Sequence, residues 1–172
     1  MRRGDARYVG DVISSWVSRY IDENKEPKIT VEKNHVLTKS RIESKFTQDI
    51  YTSKHHLIAD EPKSYKGDDL GMSPYDLLLS GLGACTSMTI KMYAERKGIS
   101  LDEVIVDLSH KKIYAKDCEE CETLDGKVDI IEKHISIKGD FDETQEKRLY
   151  EIAERCPVNR TLQSEIKIKS SH

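Results

Sequence analysis

Apolar residues at Val9, Val12, Ile13, Trp16, Val17, Tyr20 and Ile21 recur three and four positions apart, which puts them on one stripe of a helix over residues 9–21. Pro27 disfavours helix in the residue before it, so the helix ends within the Glu23–Glu26 stretch. The polar face mixes acids and bases and has no Lys/Arg excess. The stripe therefore predicts packing on the chain's own domain or on a sister subunit, and not on a membrane surface. From Lys28 the period shortens to two. Ile29 and Val31 alternate, Val36 and Leu37 follow, Phe46, Gln48 and Ile50 share a face, and His56, Leu57 and Ile58 come next. The turn-prone pairs Lys39-Ser40 and Thr52-Ser53 separate these strands. A polar loop from Asp60 to Gly71 closes the group.

The longest predicted helix runs from Pro74 to Lys97. Ser73 is its N-cap, Pro74 takes the first helical position, Asp76 completes a capping pattern, and Gly98 stops it. Leu77, Leu78, Leu79, Leu82, Ala84, Cys85, Met88 and Ile90 make its first half apolar nearly all round, which predicts burial on most of its surface. Gly81 and Gly83 each cost about 1 kcal/mol relative to Ala inside a helix. Their presence predicts close approach of another backbone, such as a second helix.

Beyond it, Val104, Val106 and Leu108 alternate in a strand that continues towards Tyr114. A polar insert, 116–127, holds Cys118 and Cys121. Ile130, Ile131, Ile135 and Ile137 mark the next strand, ending at Gly139. A second helix starts at Asp142 with Gln145 as capping partner. It buries Leu149, Ile152, Ala153 and Cys156 and is stopped by Pro157. Ile166 and Ile168 alternate in a short final strand. Strands in groups separated by helices predict an antiparallel α+β fold. Residues 1–27 form an N-terminal extension and 28–172 the main domain.

At 172 residues the chain has the size of one domain, or of one domain with an appendage. With 37% hydrophobic residues, two Phe and one Trp, the core is aliphatic and calls for completion by a partner subunit. The 28 Lys and Arg against 31 Asp and Glu leave a net charge of -3, which argues against nucleic-acid binding. No apolar run reaches the length of a membrane span. The N-terminal segment has no continuous apolar stretch of signal-peptide type, and Asp5 and Asp11 do not suit a transit peptide. A cytoplasmic location is expected. Four cysteines there point to catalytic, redox or metal-binding roles before structural disulfides.

Cys85 and Cys156 each lie on a core-facing helical stripe. Two such thiols facing each other suit peroxide reduction. One thiolate attacks the O–O bond and becomes a sulfenic acid, the other condenses with it to a disulfide, and an external dithiol reduces that bond. Cys85 needs help to ionise. It lies eleven residues past Pro74, about 16 Å along the axis, and a helix dipole acts only within the first turn. A cation or donor must come from elsewhere. Cys118-Glu119-Glu120-Cys121 is a C-x-x-C with several readings: inert loop thiols, a disulfide or reactive dithiol, or a zinc site completed by His110 and His134.

Three segments, Ala59-Asp60-Glu61-Pro62, Gly71-Met72-Ser73-Pro74-Tyr75-Asp76-Leu77-Leu78 and Gly83-Ala84-Cys85-Thr86-Ser87-Met88-Thr89, closely resemble the OsmC/Ohr superfamily. So do Tyr93-Ala94-Glu95-Arg96-Lys97-Gly98 and the run from Ala153 through Cys156-Pro157-Val158-Asn159-Arg160 to Leu162. The resemblance covers roughly residues 28–170. It implies an intertwined homodimer in which antiparallel sheets wrap long central helices and the thiols lie at or near the interface. It further implies a thiol peroxidase acting on small organic peroxides, with Cys85 as the reactive and Cys156 as the resolving thiol, and no cofactor.

Two positions depart from the peroxidase branch. Its Glu after the helix-opening Pro is Tyr75 here, and its glycine-flanked Arg has no match. Glu61 is then the candidate carboxylate, and Arg41, Arg96 or Arg160 the candidate cation. The motif Asp117-Cys118-Glu119-Glu120-Cys121-Glu122 resembles a D-C-x-x-C-E branch of the superfamily. Two readings stand beside the peroxidase: a non-catalytic dimeric module that binds an apolar ligand or a metal, and a dithiol oxidoreductase using Cys118 and Cys121.

Overall fold

The computed structural model of the protein describes residues 9–10, 12–13, 16, 29–118, 123 and 125–171. The chain divides into two compact units, Met1–Ala59 and Asp60–His172.

The first unit carries a three-stranded antiparallel sheet of β1 (Leu37–Ser40), β2 (Gln48–Tyr51) and β3 (His56–Ala59), in that order. Thr52 closes the β2–β3 turn, accepting from the backbone N–H of His55 at 3.0 Å through its hydroxyl. The turn expected at Lys39-Ser40 is instead the end of β1, with the bend after Arg41. No strand forms around Ile29 and Val31. An alternating pair of side chains does not suffice, because a strand needs a neighbour to take its hydrogen bonds. Within the expected helix over 9–21, residues 9, 10, 12, 13 and 16 are helical and exposed; the rest of that stretch lies outside the described residues.

The second unit opens with the loop after β3. Asp60 is buried, and its carboxylate accepts from the backbone N–H groups of Glu61 (2.8 Å) and Leu70 (3.3 Å), which folds the loop back on itself. Gly67 sits where the returning chain crosses Glu61. A Cβ there would lie 1.8 Å from the Glu61 carbonyl oxygen. The chain then enters α1 (Pro74–Lys97) as expected, with the reciprocal Ser73/Asp76 capping box and Gly98 in the left-handed region at φ 66. Two long strands follow, β4 (Ser100–Tyr114) and β5 (Lys127–Asp140), paired antiparallel as a ribbon. Next comes α2 (Glu143–Ala153), capped reciprocally by Asp142 and Gln145.

α2 ends at Ala153, so Cys156 lies beyond it and not on its buried stripe as expected, and Pro157 is not its stop. That proline is the first residue of a new short helix, α3 (Pro157–Leu162), whose N-cap is Cys156. A proline lacks the N–H that the first turn would leave unpaired, so it starts helices as readily as it stops them. Ile166 and Ile168 form no strand and are exposed.

The core of this unit lies where α1, α2 and one face of the ribbon meet. Ile90, Ala94, Leu149 and Ala153 are buried, with Val104, Ile135, Ile137 and Phe141 packed against them. Burying a side chain the size of Ile90 or Leu149 stabilises the fold by about 1.5–3 kcal/mol. The α+β class and antiparallel sheets agree with the sequence reading. The burial of α1 does not. Only Leu82, Thr86, Ile90 and Ala94, one residue every fourth position, are buried within the chain, while Leu78, Met88 and Met92 are exposed. Gly83 packs against the β4 side chain Leu108, with the added-Cβ distance at 3.0 Å, and Gly81 faces open space. The close approach at Gly83 is thus by a strand and not by a second helix.

Candidate functional site

The buried stripe of α1 is interrupted by one polar residue, Thr86, and Cys85 is beside it. Thr86 is fully buried, and its hydroxyl lies 2.8 Å from the Leu82 carbonyl and 3.6 Å from the sulfur of Cys156. Cys156 comes from the α2–α3 junction. The α3 turn begins there, so its sulfur takes the place of a capping oxygen and accepts from the backbone N–H of Asn159 at 3.3 Å. Asn159 is itself buried, and its side-chain amide donates to the Glu154 carbonyl at 3.1 Å, which closes the junction.

Cys85 and Cys156 are thus brought together, with the Cys85 thiol within hydrogen-bonding reach of the Cys156 sulfur. Both are unbridged; Cys156 is fully buried and Cys85 only partly. Burial alone would push the Cys156 thiol up. The Asn159 N–H, the Thr86 hydroxyl, the Cys85 thiol and the Val158 N–H outweigh burial and hold it below the ordinary thiol value. These donors act on Cys156, whereas the sequence reading sought a cation or donor for Cys85.

Arg41 belongs to the first unit and forks onto Asp49 with two 2.8 Å hydrogen bonds. Arg96 lies over the ring of Tyr93 near the far end of α1, and Arg160 is exposed. Glu61 is held through its backbone in the loop described above, and its carboxylate makes no hydrogen bond or ion pair with a described residue. Tyr75, at the position where the peroxidase branch has Glu, stacks on His110 at 4.1 Å between ring centroids. His110 is in turn 2.7 Å from Asp129.

The zinc reading fails on geometry. In the β4–β5 register His110 pairs with Ile131 and His134 with Asp107, so the two imidazoles project from opposite faces of the ribbon. Cys118 is disulfide-bonded, and Cys121 lies outside the described residues. Among the described residues no group of three potential ligands could hold a metal ion.

Sequence reasoning missed Thr86, Asn159 and Lys133. Thr86 was detectable as the polar member of the Leu82, Thr86, Ile90, Ala94 series. Asn159 was detectable only by reading Pro157 as a helix start. Lys133 gave no signal. It sits on the inner face of β5 opposite Leu108, its ammonium wholly buried and 3.0 Å from the Glu154 carboxylate, as an ion pair without hydrogen-bond alignment. It ties the ribbon to the turn that carries Cys156.

Along α1 and β4 a groove of about 650 Å³ is lined by Met72, Leu79, Ala84, Val106 and Leu108 among others. Ala84 is the residue before Cys85. No helix among the described residues is long and apolar enough to cross a membrane.

The family model described as OsmC-like protein matches residues 67–171. No curated protein matches the sequence. The chain is similar in structure to an OsmC-like protein from Mycoplasma pneumoniae, with 23% identity, a TM-score of 0.59, and coverage of 77% of this chain and 88% of the other. It is also similar to an organic hydroperoxide resistance protein from Elizabethkingia anophelis, with 17% identity, a TM-score of 0.57, and coverage of 80% and 93%. A third is an organic hydroperoxide resistance protein from Legionella pneumophila, with 19% identity, a TM-score of 0.54, and coverage of 75% and 89%. At these identities the likeness is one of fold.

Proposed function

Since the chain belongs to the OsmC-like protein family, we propose that it is a thiol peroxidase that reduces organic hydroperoxides through Cys85 and Cys156. The observation that carries this reading is the meeting of the two unbridged sulfurs, one partly accessible and one fully buried. A thiol that attacks a peroxide must meet it, and a resolving thiol need only meet the first. Cys85 as thiolate takes the distal oxygen and becomes a sulfenic acid, and the alcohol leaves. Cys156 then displaces that oxygen as hydroxide, forming the disulfide. An external dithiol restores both thiols by exchange, which suits a reducing compartment such as the cytoplasm.

In the groove beside Ala84, Met72, Leu79, Val106 and Leu108 offer apolar contact to the organic part of a peroxide, among the polar Asp76, Ser80, Ser87 and Asp107. Two of the structurally similar proteins are organic hydroperoxide resistance proteins, which supports the same substrate class. The reading includes a homodimer, supported by the exposed Leu78, Met88 and Met92 on α1.

Consumption of cumene hydroperoxide in the presence of a dithiol is the test. Wild type is expected to turn the peroxide over, and Cys85→Ser to fall to the background rate, because a serine hydroxyl does not ionise at neutral pH. Equal rates would end the proposal.

A further inference from the structure

The sulfur of Cys156 is surrounded by donors. The Asn159 N–H is at 3.3 Å and the Thr86 hydroxyl at 3.6 Å. The Val158 N–H and the Cys85 thiol are also within hydrogen-bonding reach. A neutral thiol is a weak acceptor with a proton of its own to place, whereas a thiolate can accept all four. Three of these donors, two amides and an alcohol, keep their protons at neutral pH. Only Cys85 can give its proton up. We propose that Cys156 is the base that ionises Cys85 for attack, besides resolving the sulfenic acid, and that Thr86 is the positioning residue that stabilises Cys156 in both protonation states. This rests on the thiol-peroxidase reading above.

The step balances without any outside group. The Cys85 proton passes to the Cys156 thiolate. The Cys85 thiolate attacks the distal peroxide oxygen, the S–O bond forms, the O–O bond breaks, and an alkoxide leaves. The alkoxide takes the proton from Cys156 and departs as alcohol. Cys156 is again a thiolate, and it attacks the sulfenic sulfur. The S–S bond forms and hydroxide leaves. Two electrons pass from the thiol pair to the peroxide.

Thr86 makes this exchange possible at a sulfur closed to water. Its hydroxyl has one proton and two acceptors, the Leu82 carbonyl at 2.8 Å and the Cys156 sulfur at 3.6 Å. With Cys156 ionised, the proton turns to the sulfur. With Cys156 protonated, it turns to Leu82, and the Thr86 oxygen accepts the Cys156 S–H. Both Thr86 and Cys156 have no exposure, so this rotation replaces the solvent that would otherwise satisfy each state.

The test reads the first chemical step apart from resolution. Reduced protein is mixed with cumene hydroperoxide under single-turnover conditions, and sulfenic acid on Cys85 is trapped with dimedone and counted by mass spectrometry, together with the disulfide. Alkylation of Cys85 by iodoacetamide gives a second rate that depends on ionisation and needs no peroxide. Cys156→Ala is expected to slow both rates by about a hundredfold, the low end for a positioned acid–base group. Thr86→Val is expected to slow both by about tenfold, the scale of one hydrogen bond to a charged group, with Thr86→Ser restoring them. Wild-type rates of Cys85 oxidation and alkylation in Cys156→Ala would overturn the inference and leave the peroxidase standing, with Cys156 as resolver only. A wild-type Cys85 inert to the peroxide would overturn both.

Discussion

The carboxylate of Asp49 takes two hydrogen bonds from Arg41 and one from His56, and hydrogen bonding by Arg41 leads in holding it down to about 2. Its folded value is depressed, so the stabilisation is complete above the ordinary carboxyl value of 3.8 and is lost as the pH falls towards 2. Arg41→Gln should therefore lower stability at pH 6 by about 1 kcal/mol, a figure discounted because 37% of the Arg41 side chain is exposed to solvent. The deficit should shrink steadily in chemical denaturation series from pH 4 to pH 2. A deficit that stays constant across that range would show that the pair's charge contributes nothing. None of this was legible in the sequence. Arg41 stood out only as a possible partner for Cys85, and Asp49 and His56 looked like unremarkable strand residues, because a sheet register decides which charges meet.

Elements with local causes were legible almost to the residue. The bounds of α1 follow from Ser73, Pro74, Asp76 and Gly98, all signals within one turn of the helix ends. Ser73→Ala should cost about 1 kcal/mol in thermal or chemical unfolding, since it frees the Asp76 N–H and one oxygen partner of the box. Gly139→Ala should cost more, because the new Cβ would lie 2.2 Å from the Ser100 carbonyl oxygen, a backbone atom that cannot step aside. Unfolding midpoints of the two variants give the ranking, and a milder effect at Gly139 would contradict the β4–β5 geometry. The elements that failed to form were short and alternating. Ile29/Val31 and Ile166/Ile168 carry the strand period, but no strand pairs with them in the described chain. The start of α3 was missed for a different reason, since a proline marks the end of one helix and the beginning of the next with the same chemistry.

For the molecule as a whole, the surface of α1 raises a question that the single chain leaves open. Leu78, Met88 and Met92 are exposed at 40%, 61% and 69% on a helix with no charged residue between Asp76 and Lys91. Such a face is costly in water, and a second copy of the chain is the occupant expected here. Sedimentation equilibrium should give a mass near twice 19.7 kDa. Gly81 adds a sharper check, because a Cβ there meets nothing within 4 Å in the chain. If the chain is a monomer, Gly81→Ala should stabilise it by about 1 kcal/mol through helix propensity alone. In a dimer that buries this face, Gly81→Leu should raise the dissociation constant. A mass of one chain at micromolar concentration, with Gly81→Ala more stable, would refute the dimer.

The sequence by itself determined the antiparallel α+β class, both ends of α1 and the N-cap of α2. Those properties rest on neighbours a few positions apart. Cys85 lies beside the buried stripe of α1 and Cys156 beyond the end of α2, so neither thiol sits on the stripe expected of it. Tertiary structure alone decided what touches the sulfurs, which charges are paired, and which faces of the ribbon its histidines take. Contacts between Thr86 and Cys156, or between Lys133 and Glu154, join residues whose separation along the chain carries no period that a pattern could reveal. They exist because helix packing and strand register bring those side chains to one place, and both are settled only when the whole core closes.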